Sequence, residues 1–521
     1  LPGATMKIGE SKTRTDREGR FSLSGPFTSD KLSVSHVGYS DTLVQILSIN
    51  NPIEILLVPI SNQIEEVEIV STGYQDIPKE RATGSFSAPD IKMYNNRIQS
   101  NVLDKLDGIT SGLLFNSKGI RAAGDENEMN IRGLSTIHAN SQPLIVVDNF
   151  PYEGNIDAIN PNDVASITVL KDAAAASIWG VRAGNGVIVI TTKKNNVSKS
   201  SVQFNTGLTL FEKPNLYKDP NYISALEYLN MEEFLYDQGF YENTINNVNY
   251  PVISPYVYSR YKNEKGLLDD EGFYDIIEDW KQRDYRTDLL SNFYRNQVKQ
   301  QYHVALSGAN NKHRYYSSIG YDRNLQESVK NRDSRLTLNW NDTYRLGDKW
   351  EIGGSYSLIF MDAVNNLALK NTTSAFKGRL YPYASISTTE SIVSSHSPLY
   401  LDQIADQGFL DWRFFPLTEL DEDLQSVQSG DLTVRLNPKI SYNISGNLKA
   451  ELQYQYLGRH ADTRDLRKQE SFYSRSEINR YSKVDESGNV IGYNIPMGAI
   501  NINSVSRTRS NQLRGQLNYK L

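Results

Sequence analysis

The residues best suited to chemistry are few and scattered. The six histidines, His36, His138, His303, His313, His396 and His460, include no pair at the i, i+4 spacing that holds zinc on a helix face. There is no cysteine, which excludes disulfides, thiolate metal sites, iron–sulfur clusters and cysteine nucleophiles. The chain has neither a Gly-x-Ser-x-Gly elbow nor a phosphate-cradling glycine loop. Neighbouring carboxylates at Asp269/Asp270 and Asp421/Glu422/Asp423 lie in long polar stretches without an apolar pocket. They read as solvated faces rather than acid–base pairs. No catalytic residue, cofactor site or metal site is expected.

Two features suit recognition instead. In Glu66-Val67-Glu68-Ile69-Val70, acidic and apolar residues alternate, which favours an extended strand. The run sits in a polar connector, 61–96, punctuated by Gly73, Pro78, Gly84 and Pro89. Such a strand can pair with the sheet edge of a partner, or close the domain before it. Aromatic residues in long loops, Tyr256, Tyr258, Tyr261, Tyr381, Tyr383 and Trp412, can stack on sugars, meet a lid protein, or pack internally.

The elements around these residues fall into distinct parts. Among 521 residues, 55 Lys+Arg face 61 Asp+Glu, a net charge of -6 that gives no sign of nucleic-acid binding. Mean hydropathy is -0.51 and no apolar run is long enough for a transmembrane helix. Of 32 tyrosines, only Tyr39, Tyr74, Tyr94 and Tyr152 precede residue 200. A membrane β-barrel, ringed by amphipathic aromatics, would produce that split.

Residues 1–60 read as a small β-sandwich, with strands at Arg20–Leu23, Leu32–His36, Thr42–Leu47 and Ile53–Val58 and a turn at Asp16–Gly19. Residues 97–196 read as a mixed α/β unit. It has a short helical face of Val102, Leu103 and Leu106 ending near Gly108, a turn at Asp148-Asn149 and an Asn160-capped turn opening at Pro161. Strands follow at Ala165–Leu170 and Gly186–Thr192, with an Asp172-capped helix over Ala173–Trp179.

From 201 onward the pattern is strict alternation. Eight strands are expected, at 201–211, 296–307, 314–323, 333–344, 350–361, 429–441, 448–458 and 509–521. Short turns (308–313, 345–349, 442–447) alternate with connections at 212–295, 324–332, 362–428 and 459–508, three of them long. Outer-membrane barrels have this parity, with the long loops outside. A barrel of eight strands is filled by its own side chains, whereas one of about 22 holds a plug. The expectation is therefore a mainly β chain: part of a large transmembrane antiparallel barrel (197–521), an α/β plug (97–196) and the small sandwich. Leu1 and Leu521 both fall inside strand-like segments, so the chain reads as a piece of a longer protein.

Several runs resemble a known family. Thr15-Asp16-x-x-Gly19-x-Phe21-x-Leu23 followed by Val37-Gly38-Tyr39 is similar to carboxypeptidase-regulatory-like domains, which are not peptidases. Asn130-Ile131-Arg132-Gly133, Pro143–Asp148, Ile159–Ile167 and the stretch Leu170–Lys193 resemble the plug of a TonB-dependent transporter of the SusC/RagA class. Asn149, Trp179 and Gly184 depart from the common residues at their positions.

The resemblance implies import across the outer membrane of a Gram-negative bacterium, with the sandwich and connector in the periplasm. The cargo is a glycan or a peptide too large for porins. Glu66–Val70 becomes the TonB box, pulled by TonB with its ExbB/ExbD energy-coupling complex. A SusD-like lipoprotein covers the barrel mouth. The motif residues Arg132, Gly133, Asp148, Lys171, Asp172, Arg182 and Gly186 belong to the plug, where Arg132 and Arg182 either ion-pair with Asp148 and Asp172 or serve only local loop structure. A receptor or adhesin that does not transport is the alternative.

Overall fold

The computed structural model of the chain describes residues 1–25, 31–46, 52–59, 69–78, 84–115, 129–131, 142–172, 177–194, 199–375, 380–387 and 396–519. The chain divides into two compact units, Leu1–Ile69 with Pro78–Arg81, and Val70–Ile77 with Ala82–Leu521.

The first unit holds a four-stranded antiparallel sheet of β1 (Thr5–Ile8), β2 (Ser11–Arg14), β3 (Lys31–Ser35) and β4 (Thr42–Gln45), in the order β2-β1-β3-β4. Met6, Ile8, Leu32 and Val34 alternate inward to form its core, with Phe21, Leu23, Ile55 and Leu57 packed against them. The strands expected at Arg20–Leu23 and Ile53–Val58 are absent. Both segments bury alternate apolar side chains without joining the ladder, apart from a bridge between Tyr39 and Pro59. The turn at Asp16–Gly19 forms as expected, with Asp16 Oδ1 accepting from the amides of Glu18 and Arg20 and Gly19 at φ +80.

The second unit opens with the body of a hairpin of β5 (Ile69–Ser71) and β6 (Asp76–Pro78), whose end residues Ile69 and Pro78 fall to the first unit. The plug follows with β7 (Phe86–Ser87), β8 (Leu113–Phe115), β9 (Met129–Ile131), β10 (Leu144–Val147), β11 (Phe150–Pro151), β12 (Val164–Leu170) and β13 (Val187–Thr192). Its main sheet runs β11-β10-β13-β12-β7. Val146, Val169, Val187, Ile188 and Ile190 are almost entirely buried, as continuous apolar strands covered on both faces should be. The helix Val102–Leu106 is capped by Asn101, whose side chain accepts from the Leu103 amide. Residues 173–176 of the expected helix lie outside the described residues. Ser177–Ala183 is a 3₁₀ segment kinked at Gly180.

The wall is one antiparallel sheet of eight long strands: β14 (Ser201–Phe211), β15 (Gln297–Ala309), β16 (His313–Leu325), β17 (Arg332–Leu346), β18 (Trp350–Asn366), β19 (Gln425–Asn443), β20 (Leu448–Arg467) and, after a small hairpin of β21 (Ser482–Val484) and β22 (Val490–Tyr493), β23 (Ile500–Tyr519). Short and long connections alternate as expected. Several strands run past their expected limits: β18, β19, β20 and β23 have 17, 19, 20 and 20 residues, against the roughly 9–11 that cross a bilayer. Most of the extra residues lie at the long-loop end, where ladder bonding continues but the apolar alternation fades.

Burial is inverted relative to a water-soluble sheet. Inward-facing polar side chains are buried, among them His303, Asp322, Arg335, Thr337, Arg435 and Gln455. Outward-facing apolar ones are exposed: Phe204 at 64%, Leu208 at 60%, Leu513 at 70% and Leu517 at 71%. A soluble sandwich would hide the second set and solvate the first. A barrel with lipid outside and a plug inside requires this arrangement. The fold is therefore mainly β, a partial transmembrane barrel holding an α/β plug.

Candidate plug-anchoring and coupling site

The Asn160-Pro161-Asn162-Asp163 turn meets the wall. Asn160 Oδ1 accepts from the Asn162 amide at 2.9 Å, and Pro161 occupies the first helical position. The turn thereby points Asp163 at the inner faces of β15, β16 and β17. Four wall side chains donate to that carboxylate: His303 Nε2 at 2.9 Å, Tyr316 Oη at 2.8 Å, Ser318 Oγ at 2.6 Å and Asn339 Nδ2 at 2.5 Å. Burial alone would push the Asp163 carboxyl up, but the bonds from His303, Ser318 and Tyr316 outweigh it and hold the carboxyl below its ordinary range. Asn160 Nδ2 donates to Thr337 Oγ1 at 3.0 Å, over Gly320. A Cβ on Gly320 would lie 2.1 Å from Asn160 Nδ2, so the wall is bare where the plug approaches it.

Two further contacts complete the seam. Arg335 is held by Asp322 Oδ2 at 2.9 Å through Nε, and its Nη1 donates to the carbonyls of Asp157 and Ile159 in the plug. Asp148 sits at the turn between β10 and β11, where it and Asn149 both take positive φ, 47 and 77. Its carboxylate accepts from the Thr192 amide and hydroxyl and lies 3.1 Å from Arg435 of the wall. Burial opposes ionisation of Asp148, but Lys194, Arg435 and Thr192 pull its value below the usual range.

For Asp148 and Arg182 the described partners differ from the pairing the sequence allowed. Asp148 takes Arg435, from the barrel. Arg182 pairs with Glu153 at 2.9 Å, with both side chains well exposed, and such a pair contributes little. Asp172 accepts from the Ser85 amide at 2.6 Å, tying β12 to the segment before β7. Lys171 Nζ donates to Ser111 Oγ at 3.3 Å, and Gly186 forms the tight turn into β13 at φ +89. Arg132 and Gly133 lie outside the described residues. Asp163, His303, Arg335 and Arg435 were not singled out from the sequence. The available signal was the inward position of three charged or ionisable residues on alternating strands.

Of the TonB-box candidate, Glu66, Val67 and Glu68 lie outside the described residues, while Ile69 and Val70 begin β5. The hairpin that follows is clasped from both sides. Trp179 Nε1 donates to the Thr72 carbonyl at 3.1 Å, and its ring lies 4.6 Å from that of Tyr74. Gly73 takes φ +82 beneath this ring, and a Cβ there would come within 2.5 Å of Trp179 Cζ2. From the wall, Arg514 donates to the carbonyls of Gly73 at 2.8 Å and Tyr74 at 2.9 Å, with its guanidinium over the Tyr74 ring.

At the long-loop end, helices Ala225–Asp237, Pro255–Glu264 and Asp270–Lys281 share a core with Tyr383. Tyr256 is only 2% exposed and belongs to that core, which removes it as a contact face for ligand or lid. Tyr258 donates to Asp402. Tyr381 stacks on Tyr383 at 5.6 Å, and Trp412 lies 4.2 Å from His396, both half-buried. Tyr383 Oη donates to Glu232 Oε2 at 2.9 Å. Burial raises Glu232 to about 7, against the opposing bonds from Ser254 and Tyr383.

The TonB-dependent Receptor Plug Domain family matches residues 75–187. TonB-dependent receptor SusC of Bacteroides thetaiotaomicron is 34% identical over 211 residues, 39% of this chain and 20% of that protein. TonB-dependent receptor P3 of Formosa agariphila is 26% identical over 356 residues, 68% of this chain and 30% of that protein. The chain thus spans a third or less of these relatives' length, and they are receptors rather than enzymes. Among solved structures, the RagAB peptide importer in its open-open state aligns at TM-score 0.58 with 19% identity, over 87% of this chain and 47% of that one; the likeness is one of fold. With the plug match and the inverted burial of the wall, these similarities make the chain part of a SusC/RagA-type TonB-dependent receptor.

Proposed function

We propose that the protein imports a nutrient across the outer membrane, driven by TonB acting on the Glu66–Val70 strand. The observation that carries this reading is the clasped hairpin next to the box. Its hold on plug and wall consists of a few hydrogen bonds and two aromatic contacts through Trp179, Tyr74 and Arg514. A strand paired edge-on to TonB shares load over several backbone hydrogen bonds, so a pull along it meets this clasp first. The seam beyond is polar, so its groups can trade plug partners for water when the plug shifts.

In this reading the short turns face the periplasm and the long loops the exterior, where a SusD-like lipoprotein closes over the mouth. TonB works with its ExbB/ExbD complex. The favoured cargo is an oligosaccharide, for which half-buried Tyr381 and Trp412 offer stacking rings. Peptide is the second reading, supported by the fold likeness to a peptide importer. Uptake of labelled oligosaccharides and of labelled peptides, in cells with and without TonB, tests the proposal. TonB-dependent accumulation of the oligosaccharide supports it, peptide accumulation alone moves the cargo to the second reading, and binding without accumulation overturns import.

A further inference from the structure

The plug is not held evenly around the wall. On β15, β16 and β17 its turns receive directed bonds. Asp163 accepts from His303, Tyr316, Ser318 and Asn339, and Asn160 donates to Thr337. The carbonyls of Asp157, Ile159 and Lys193 accept from Arg335 and Asn341. On β19 and β20 the inner face is different. Asn437, Ser441, Gln453 and Gln455 are buried there, with Gln455 only 1% exposed. Among the described residues, both amide atoms of Gln455, Nδ2 of Asn437, Oε1 of Gln453 and Oγ of Ser441 have no hydrogen-bond partner. Gln453 Nε2 donates to Asn437 Oδ1 at 2.9 Å, a bond that joins two wall residues and leaves the plug out.

The patch is covered, not open. Leu457, the next inward residue on β20, is fully buried in one core with Val147 and Tyr152 of the plug. By register Gln455 lies opposite Gln512, and Gln453 opposite Arg514. Gln512 donates to the Pro151 carbonyl at 3.2 Å, and Arg514 to that of Asn149 at 3.3 Å as well as to the hairpin. Arg435 Nη1 lies 3.1 Å from Asp148 Oδ2 without the alignment of a hydrogen bond. A polar atom buried without a partner loses its hydration and gains no bond in exchange. Docking of the plug therefore desolvates this patch at a loss, whereas on β15 to β17 the lost water is replaced by bonds. On β15 Gln301 Nε2 and His303 Nδ1 are unpartnered too, but His303 holds Asp163 through its other nitrogen.

We propose that the plug parts from the wall over β19 and β20, turning about the Asp163 anchor, and that cargo crosses along Asn437, Ser441, Gln453 and Gln455. This path rests on import as proposed for the protein. Force enters on this side, because Arg514 holds the pulled hairpin against β23, in register with Gln453. Once the hairpin leaves, water reaches the unpartnered amides, and their hydration favours the opened state. The Asp163 bonds offer no such gain, since each donor there only exchanges one partner for another. The opened lining presents amide and hydroxyl donors and acceptors together, which suits a neutral cargo rich in hydroxyl groups.

The test is thiol labelling in cells carrying the full-length protein, with and without TonB, the labelled site being located by peptide mass mapping. The 521 residues hold no cysteine, so Ser441→Cys and Gln455→Cys read the patch, and Ala305→Cys, buried on β15 opposite Ser318, reads the anchored side. With TonB the two patch positions should label about tenfold faster than without it, while the rate at Ala305→Cys stays the same. Ser441→Cys is nearly isosteric, so it decides the matter even where Gln455→Cys fails to insert. Gln455→Met fills a similar space without an amide and should slow labelling of Ser441→Cys several-fold. Patch labelling indifferent to TonB, or equal acceleration at Ala305→Cys, would overturn the proposal. Uptake measured in the same cells separates the path from import itself. TonB-dependent patch labelling without uptake keeps the opening and rejects import, whereas uptake without patch labelling rejects the path alone.

Discussion

Asp163 of the plug and His303 of the barrel wall, 140 positions apart in sequence, are joined by a buried 2.9 Å hydrogen bond. The imidazole's other nitrogen has no partner among the described residues, so the ring's polar contact is spent on the plug. Tyr316, Ser318 and Asn339 complete the grip. Replacing Asp163 with Ala would strand three buried donors and half-buried Asn339. Removing one member of such a cluster costs about 3–5 kcal/mol. Denaturation of the full-length protein should show plug unfolding separated from, and preceding, barrel unfolding. A double-mutant cycle with His303→Ala should show coupling of about 1 kcal/mol or more.

The bare wall at Gly320 predicts a steric counterpart. Gly320→Val should push Asn160 from Thr337 and loosen the same turn without removing a charge. The expected effect is a plug that becomes protease-accessible while heat-resistant barrel migration on gels is unchanged.

The hairpin clasp gives a mechanical prediction. Trp179→Ala should remove the bond to Thr72 and the ring over Gly73, at a cost of about 3 kcal/mol for a largely packed Trp. Arg514→Ala should release the same hairpin from the wall. In single-molecule pulling on the Glu66–Val70 strand, either change should lower the first rupture force and leave later events intact.

A pH dependence follows from Glu232. Its folded value is raised to about 7 from 4.5, so between those limits the unfolded loops lose a proton that the folded ones keep. Stability of the helical loop cluster is greatest at low pH and declines as pH rises from about 4.5 to 7, by on the order of 3 kcal/mol. Above that it levels off. Glu232→Gln should flatten the slope in hydrogen exchange of helix Ala225–Asp237. Asp163 works in the opposite sense: its folded value lies below 3.8, so its contribution fades only in stronger acid.

The parts legible in sequence were those with local causes. Asp148-Asn149 formed its left-handed turn because small Asx side chains tolerate positive φ. Asn160-Pro161 opened its turn because the cap and the missing proline amide suit a helix start. Barrel strands showed through their alternation only as far as the lipid band. Beyond it, in runs such as Arg459 to Arg467 of β20, the ladder persists without an apolar face to mark it. The seam was illegible because its partners come from distant strands: nothing near Asp148 signals Arg435. The segment after the box read as a simple connector, whereas Gly73 turns it back on itself and Trp179 and Arg514 hold it there.

In the proposed function, force on the Glu66–Val70 strand drives import. The most direct measurement is uptake by cells carrying the full-length protein with residues 65–70 deleted, with barrel insertion verified in the same cells. Uptake should fall to the level of cells lacking TonB while surface binding of the cargo persists. Undiminished uptake with the barrel inserted would contradict the account.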